Sequence, residues 1–424
     1  MKTTTFTRIQ PWLVVFSAAL FFLFEFINMN SFNALNDDLR QSFNVTALQI
    51  SNLSAMYFYA NVLFLIPVGL CLDRLSTRKM LLIAMTVCIA STFAFAATHN
   101  FVIAQICRFV TGMGSTLCLL SCAQLTSRWF PPRLSGLVIG LVVTMAMMGG
   151  MIAQQIALLT QLLGSWRYTL DIIACIGIVF LIIIWVFVRD YPSNTESIHN
   201  KEHQVLHNMG FWKSFGQALS NKQTWFAGLY TNLMTIPVIV LGALWGKDYL
   251  IQLHNLPSNQ AANVSSMIFL GMIIGSPLSG FISDRLCRRK MPMVIGAILT
   301  LATALVILYD HTLDYETLLS LFFLLGLFTG TQIITFPLII ESNPSYLTGS
   351  SEGLSATLIM SCGAIFQPLF GYILQRNWSG QMLNGVATYS DSAYQHAALI
   401  LPFAFAVSIL LACLIKETYC KSIY

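Results

Sequence analysis

The stretch Gly69-Leu-Cys-Leu-Asp73-Arg74-Leu-Ser-Thr-Arg78-Lys79 returns 211 residues later as Gly280-Phe-Ile-Ser-Asp284-Arg285-Leu-Cys-Arg288-Arg289-Lys290. One short charged motif, found twice at half the chain length, marks a duplicated protein. Each copy stands where a long apolar run ends and another begins, so it reads as a loop between membrane helices rather than a patch on a soluble domain.

Composition supports the membrane reading independently. Hydrophobic residues make up 56% of the chain and charged residues only 9%, against roughly 25% charged in soluble domains. Apolar runs long enough to span a bilayer, about 20 residues each, begin near Trp12, Leu48, Met80, Phe101, Leu134, Tyr168, Gln223, Asn263, Met291, Thr317, Gly353 and Tyr394. The expectation is an all-α membrane protein with twelve transmembrane helices in two six-helix repeats: residues 1–190, a polar connector at 191–222, and residues 223–424. The first run continues through Phe21-Phe22-Leu23 to Met29, too long for a secretory leader, and reads as a retained first helix.

Orientation follows from Lys and Arg, which favour the cytoplasmic side. With the N-terminus inside, seventeen fall on the cytoplasmic side and four outside, with Arg108 left within a helix. Both termini are therefore expected in the cytoplasm, and the net charge of +5 is a topology signal, not a nucleic-acid footprint. The ten cysteines lie mostly in apolar runs and lack the loop pairing of a disulfide framework. In the connector, Ser193-Asn-Thr-Glu196 has capping-box spacing. His199, His203 and His207 follow on one helical face, readable as a metal site or as a solvated surface helix, the latter favoured because no Cys or further carboxylate completes a ligand set.

Buried polar residues carry the functional reading, since an ionisable group in hydrocarbon needs a partner or a wet cavity. Glu25, Asn28 and Phe32 share one face of the first helix by i, i+3 and i+7 spacing. Arg108, seven residues into the fourth run, reaches comparable depth. The two suit either coupling or a structural ion pair that holds the first repeat together. Tyr57 and Asn61, Tyr230 and Asn232, Gln332 and Thr335, and Gln367 are further cavity candidates, each with helix–helix packing as the alternative. Gly149-Gly150, Pro237, Gly275 with Pro277, and Gln367-Pro368 mark close packing or local breaks. Neither a phosphate-cradling loop, paired metal ligands nor a nucleophile elbow is visible, so no enzyme, cofactor or metal is expected.

The repeated loop resembles the Gly-x-x-x-Asp-Arg-x-Gly-Arg-Arg signature of the major facilitator superfamily. Its turn glycine is replaced by Ser76 and Cys287, and one arginine by Thr77. The resemblance implies alternating access and an inner gate built from Gly69, Asp73, Arg74 and Arg78 with Gly280, Asp284, Arg285 and Arg289, closing against the eleventh helix. Arg108-Phe-Val-Thr-Gly112-Met-Gly114 resembles the Arg-x-x-x-Gly-x-Gly pattern of the family's fourth helix, where the arginine serves proton or substrate coupling. The segment Phe24-Glu-Phe-Ile-Asn-Met-Asn-Ser-Phe-Asn33 resembles the phagosomal transporters, bacterial carriers of amino acids or nucleosides. The Gly-Pro that precedes a glycine pair in proton-driven drug exporters is absent, since Met145-Ala-Met-Met148 stands there.

The expectation is therefore a monomeric importer in a bacterial inner membrane, moving a small polar nutrient with protons. Export of a metabolite, siderophore or drug is the alternative transporter, and a non-transporting membrane sensor the alternative of another class.

Overall fold

The computed structural model describes residues 3–130, 132–192, 220–310, 312–343, 348–383 and 386–421. Among these residues, twelve helical segments are long and apolar enough to cross a membrane: α1 Ile9–Ala34, α2 Ala47–Gly69, α3 Thr77–Ala97, α4 Phe101–Thr126, α5 Leu137–Gln154, α6 Trp166–Phe187, α7 Lys222–His254, α8 Ser258–Leu286, α9 Lys290–Tyr309, α10 Tyr315–Glu341, α11 Gly353–Arg376 and α12 Asp391–Leu414. Each begins within about one and a half turns of the sequence expectation. The all-helical expectation holds apart from a short antiparallel pair, β1 Met382–Leu383 with β2 Val386–Ala387, between α11 and α12. The capping box at Ser193 and the histidines at 199, 203 and 207 lie outside the described residues.

Outward rows of large apolar side chains identify the helices that face lipid. Val179, Ile182 and Trp185 on α6, Ile295 and Val306 on α9, and Phe403, Leu410 and Leu414 on α12 are all exposed. In hydrocarbon such a row costs nothing, whereas backbone polar groups must be satisfied inside the helices. The buried side of the bundle is closed by small residues. A methyl on Gly149 of α5 would lie 2.5 Å from the Leu23 carbonyl of α1, and Gly271, Gly275, Gly326 and Gly330 let α8 and α10 touch backbone to backbone.

Two helices of the second half depart from α geometry near mid-membrane. Pro237–Trp245 of α7 is a π-helix, all nine residues buried, and Gly330–Ile334 of α10 is a 3-10 turn. Pro237, which lacks an N–H, opens the first of these. Side-chain amides then support its displaced carbonyls: Gln154 donates to Gly242 at 2.8 Å, Gln367 to Ile239 at 2.8 Å, and Asn36 to Leu244 at 3.0 Å. Irregular turns at functional positions are common because they re-aim side chains.

Hydrogen bonds between the two halves gather on one face of the bundle. Every hydrogen bond between the first six and last six helices among the described residues lies on the face opposite the Gly69 and Gly280 loops. It includes Trp245 to Ser51 at 3.1 Å, Gln155 to Asn263 at 3.0 Å, and the Ala47 amide to the Tyr389 hydroxyl at 3.0 Å. Toward the loop face, a methyl on Gly69, Gly140, Gly280 or Gly353 would meet nothing within 4 Å, whereas at Gly371 it would strike Ser51 and Ala47. The described hydrogen bonds between the halves thus gather at the face far from the loops.

Candidate functional site

Arg108 and Glu25 form the centre of the first half. The guanidinium of Arg108, 4% exposed, has its central carbon 4.1 Å from the centre of the Phe32 ring and 5.2 Å from that of Tyr57. Nη1 donates to the Asn28 carbonyl at 3.3 Å, while Nε and Nη2 have no hydrogen-bond partner. Glu25 is fully buried, and neither carboxylate oxygen accepts a hydrogen bond of ordinary geometry. The Cys88 thiol beside it donates to the Thr111 carbonyl at 3.5 Å.

The helix spacing thus brings Glu25, Asn28, Phe32, Tyr57 and Arg108 into one cluster. It does not join Glu25 to Arg108, because no pair of their charged atoms comes within 4.0 Å. The structural ion pair considered from sequence is therefore not present in this state. The Glu25 carboxyl and the Nε–Nη2 edge of Arg108 are thus buried without a hydrogen-bond partner of ordinary geometry, an arrangement that a ligand, a proton or water must offset in the working cycle.

Other cavity candidates have their polar groups committed to packing. Asn61 donates to the carbonyls of Tyr57 and Gly112 and to Ser115, all at 2.9–3.0 Å, holding α2 against α4. Tyr230 donates to the Met293 carbonyl at 2.9 Å and meets Thr331 at 3.0 Å; Asn232 donates to Leu358 at 2.5 Å and to Ser361 at 3.0 Å. Thr335 meets Thr231 at 2.6 Å, Gln332 accepts a short hydrogen bond from Thr235, and the Gln367 amide supports the π-helix. Among these, the Gln367 carbonyl oxygen is left without a donor.

The charged loops form two networks, each inside its own half. In the first, Asp190 at the end of α6 accepts from the Ser76 hydroxyl at 2.6 Å and the Arg78 amide at 2.8 Å, and so caps α3. A carboxylate there complements the helix dipole. Arg78 donates to the Trp185 carbonyl at 2.6 Å. The side chains of Asp73 and Arg74, which the sequence reading places in the gate, lie outside the described residues. In the second loop, Glu417 takes the equivalent place, accepting from the Arg289 and Lys290 amides at 2.7 and 2.9 Å. Arg289, 5% exposed, reaches Asp284 at 2.5 Å and Glu341 at 2.7 Å, while Arg285 is exposed. Burial works against the Arg289 charge, but its hydrogen bonds to Glu341 and Asp284 outweigh that and hold its pKa above the ordinary value. None of these described contacts crosses to the other half.

The missing turn glycines resolve differently in the two copies. Ser76 is extended, at φ −62° and ψ 118°, and caps α3 by accepting from the Lys79 amide. Cys287 takes the left-handed conformation, at φ 48° and ψ 39°, where glycine is preferred.

Sequence reasoning missed a second charged cluster on the far face. Lys247 and Asp248 are both buried near the end of α7, and the Lys247 ammonium donates across to the Ala34 carbonyl of α1 at 3.1 Å. Two adjacent charges inside an otherwise apolar run were the available signal. Gln154 was missed as well; it receives a 2.5 Å hydrogen bond from Asn33 while holding Gly242.

Comparison with known proteins adds three kinds of likeness. The Major Facilitator Superfamily profile matches residues 15–368. A probable sulfoacetate transporter of Cupriavidus necator is 20% identical over 80% of this chain and 82% of its own, and a D-galactonate transporter of Escherichia coli 23% identical over 80% and 83%. A probable galactarate/D-glucarate transporter of Escherichia coli is 21% identical over 90% of both chains. Among solved structures, a bacterial homolog of the human lysosomal transporter Spinster, inward-facing and unoccupied, aligns with a TM-score of 0.70 at 14% identity, covering 97% of this chain and 96% of that one.

Proposed function

We propose that this chain, which belongs to the Major Facilitator Superfamily and is one of its transporters, takes up a small organic anion bearing a carboxylate or sulfonate, in symport with a proton. The observation that carries this reading is the free edge of Arg108. Nε and Nη2 are adjacent on the guanidinium, and both lack partners, while Nη1 is anchored to Asn28 and the plane is flanked by Phe32 and Tyr57. Two parallel N–H groups on one edge match the two oxygens of a planar carboxylate, and two of the three of a sulfonate. The relatives named for acid sugars and sulfoacetate point to the same ligand chemistry.

Glu25 supplies the proton site in this proposal. A carboxylic acid is tolerated in a dry pocket where a carboxylate is not, so an anion on Arg108 and a proton on Glu25 favour each other's binding. With the basic loop face read as cytoplasmic from its Lys and Arg, import follows as the two halves rock about the central site.

An amino acid remains the second reading, favoured by one specific feature. A zwitterion would place its carboxylate on Arg108 and its ammonium toward Glu25, whose described neighbour is the Cys88 thiol. Proteoliposomes with an inward proton gradient, offered labelled uronate, aldonate, sulfoacetate and amino acids in turn, separate the two. Uptake of an acid sugar or sulfoacetate that collapses with a protonophore is expected. Uptake confined to amino acids sinks the anion reading, and gradient-independent accumulation sinks the symport.

A further inference from the structure

On the far face the halves meet along a seam that buries a second carboxylate. Asp248, near the outer end of α7, is 7% exposed, and neither of its oxygens has a hydrogen-bond partner. The charged groups around it come from both halves. Asp37 and Arg40 lie on the short helix Asn36–Phe43 that links α1 to α2, Lys247 precedes it on α7, and Tyr394 lies in the vicinity on α12.

Neither nearby cation neutralises it. The Lys247 ammonium is committed to the Ala34 carbonyl at 3.1 Å. The Arg40 guanidinium donates to the Ala387 carbonyl, lies 4.0 Å from Asp37, and sits 5.1 Å from the Tyr389 ring centre. Among the described residues Asp248 has no ion pair within 4.0 Å. An ionised carboxylate without donors in a closed seam is strongly disfavoured, and Asp37 nearby adds repulsion, whereas a protonated acid there bears neither cost. When the halves part on this face, water reaches the group and the anion becomes tolerable.

We infer that Asp248 is a proton-binding site of the far-face gate, taking a proton from the medium on that side as the seam closes and returning it as the seam opens. No covalent bond other than the O–H is made or broken, and the proton does not cross the membrane. It sets the balance between the two access states rather than the transport stoichiometry. This role is separate from that proposed for Glu25, which lies in the other half. The inference rests on the orientation proposed above only for the name of the compartment, which is then the exterior.

The sign follows from linkage. The closed seam binds the proton more tightly than the open one, so acid favours closure, and the preference is lost as pH rises through the closed-state titration. Asp38 on the same linking helix is the competing titrating group, which its own replacement tells apart from Asp248. Burial pushes its carboxyl above the ordinary range, with Lys247 opposing and Asp37 reinforcing the shift.

Hydrogen–deuterium exchange of the full-length protein in lipid nanodiscs, from about pH 5 to about pH 8 and corrected for the intrinsic rate, tests the inference. For a one-proton switch, protection of residues 34–42 and 246–256 should fall by up to about tenfold per pH unit. Asp248→Asn should keep the acid-like protection throughout, Asp248→Glu should restore a pH dependence with a displaced midpoint, and Asp38→Asn should leave the wild-type profile in place. A wild-type seam whose protection ignores pH overturns the inference. So does an Asp248→Asn profile that follows the wild type, an Asp248→Glu midpoint that does not move, or a pH dependence abolished by Asp38→Asn. The first and third of these need no asparagine variant to fold. The readout involves no substrate, so a failed uptake experiment leaves it standing.

Discussion

Replacing Arg108 with lysine keeps the positive charge and removes the planar fork, and so isolates the feature on which the ligand class depends. In the structure Nη1 is anchored to the Asn28 carbonyl at 3.3 Å, leaving Nε and Nη2 free. An anion bound there receives two charge-assisted hydrogen bonds; a lysine ammonium aimed at the same place supplies one and loses the Asn28 anchor. The lost bond is worth about 1.5–3 kcal/mol. Reduced stacking on Phe32, 4.1 Å from the guanidinium carbon, contributes about 0.5–1 kcal/mol more. The combined loss of about 2–4 kcal/mol corresponds to a roughly thirtyfold to nearly thousandfold rise in Kd. Isothermal titration of purified protein with an acid sugar or sulfoacetate, at a pH that keeps the ligand ionised, measures it directly. A Kd for Arg108→Lys within about threefold of wild type, in protein with an unchanged melting profile, would refute bidentate recognition. Arg108→Ala, which removes the charge altogether, should bind more weakly than the lysine variant.

Three further expectations follow from separate parts of the structure. Glu25→Gln imitates the protonated acid, so counterflow exchange between equal substrate pools should persist while accumulation driven by a pH gradient disappears; accumulation with the wild-type pH dependence would remove Glu25 from coupling. Gln154→Leu withdraws the donor from the Gly242 carbonyl and the acceptor from Asn33, at about 1–3 kcal/mol for each buried group left unpaired. Spin-label distances across the far-face seam should then report a larger open population, and an unchanged distribution would show that Gln154 does not latch the seam. Cys287→Gly relieves a left-handed residue at φ 48°. Set against glycine's greater freedom when unfolded, the gain should be about 0.5–1 kcal/mol, visible as a modest rise in Tm.

The primary sequence by itself determined the membrane class, the twelve spans and the duplication. These follow from local quantities: a spanning helix must satisfy its own backbone, so about 20 apolar residues declare it without reference to any neighbour. It also nominated Glu25, Asn28, Phe32 and Arg108 together, with Tyr57 among the further cavity candidates, because helical spacing fixes which residues share a face and at what depth. Which polar atoms remain free was not legible there. Asn61, Tyr230 and Asn232 are of the same residue types as a ligand shell, but their donors go to carbonyls and hydroxyls on other helices. Arg108 and Glu25 could be read as an ion pair until the packing left them apart. The cap on α3 likewise depends on where the end of α6 arrives, which selects Asp190. The π-helix, the closed far-face seam and the isolation of Asp248 depend on how the two halves meet. Hydrogen-bond satisfaction and desolvation are set by atoms distant in the chain, so only the tertiary structure could decide which buried charges have no partner.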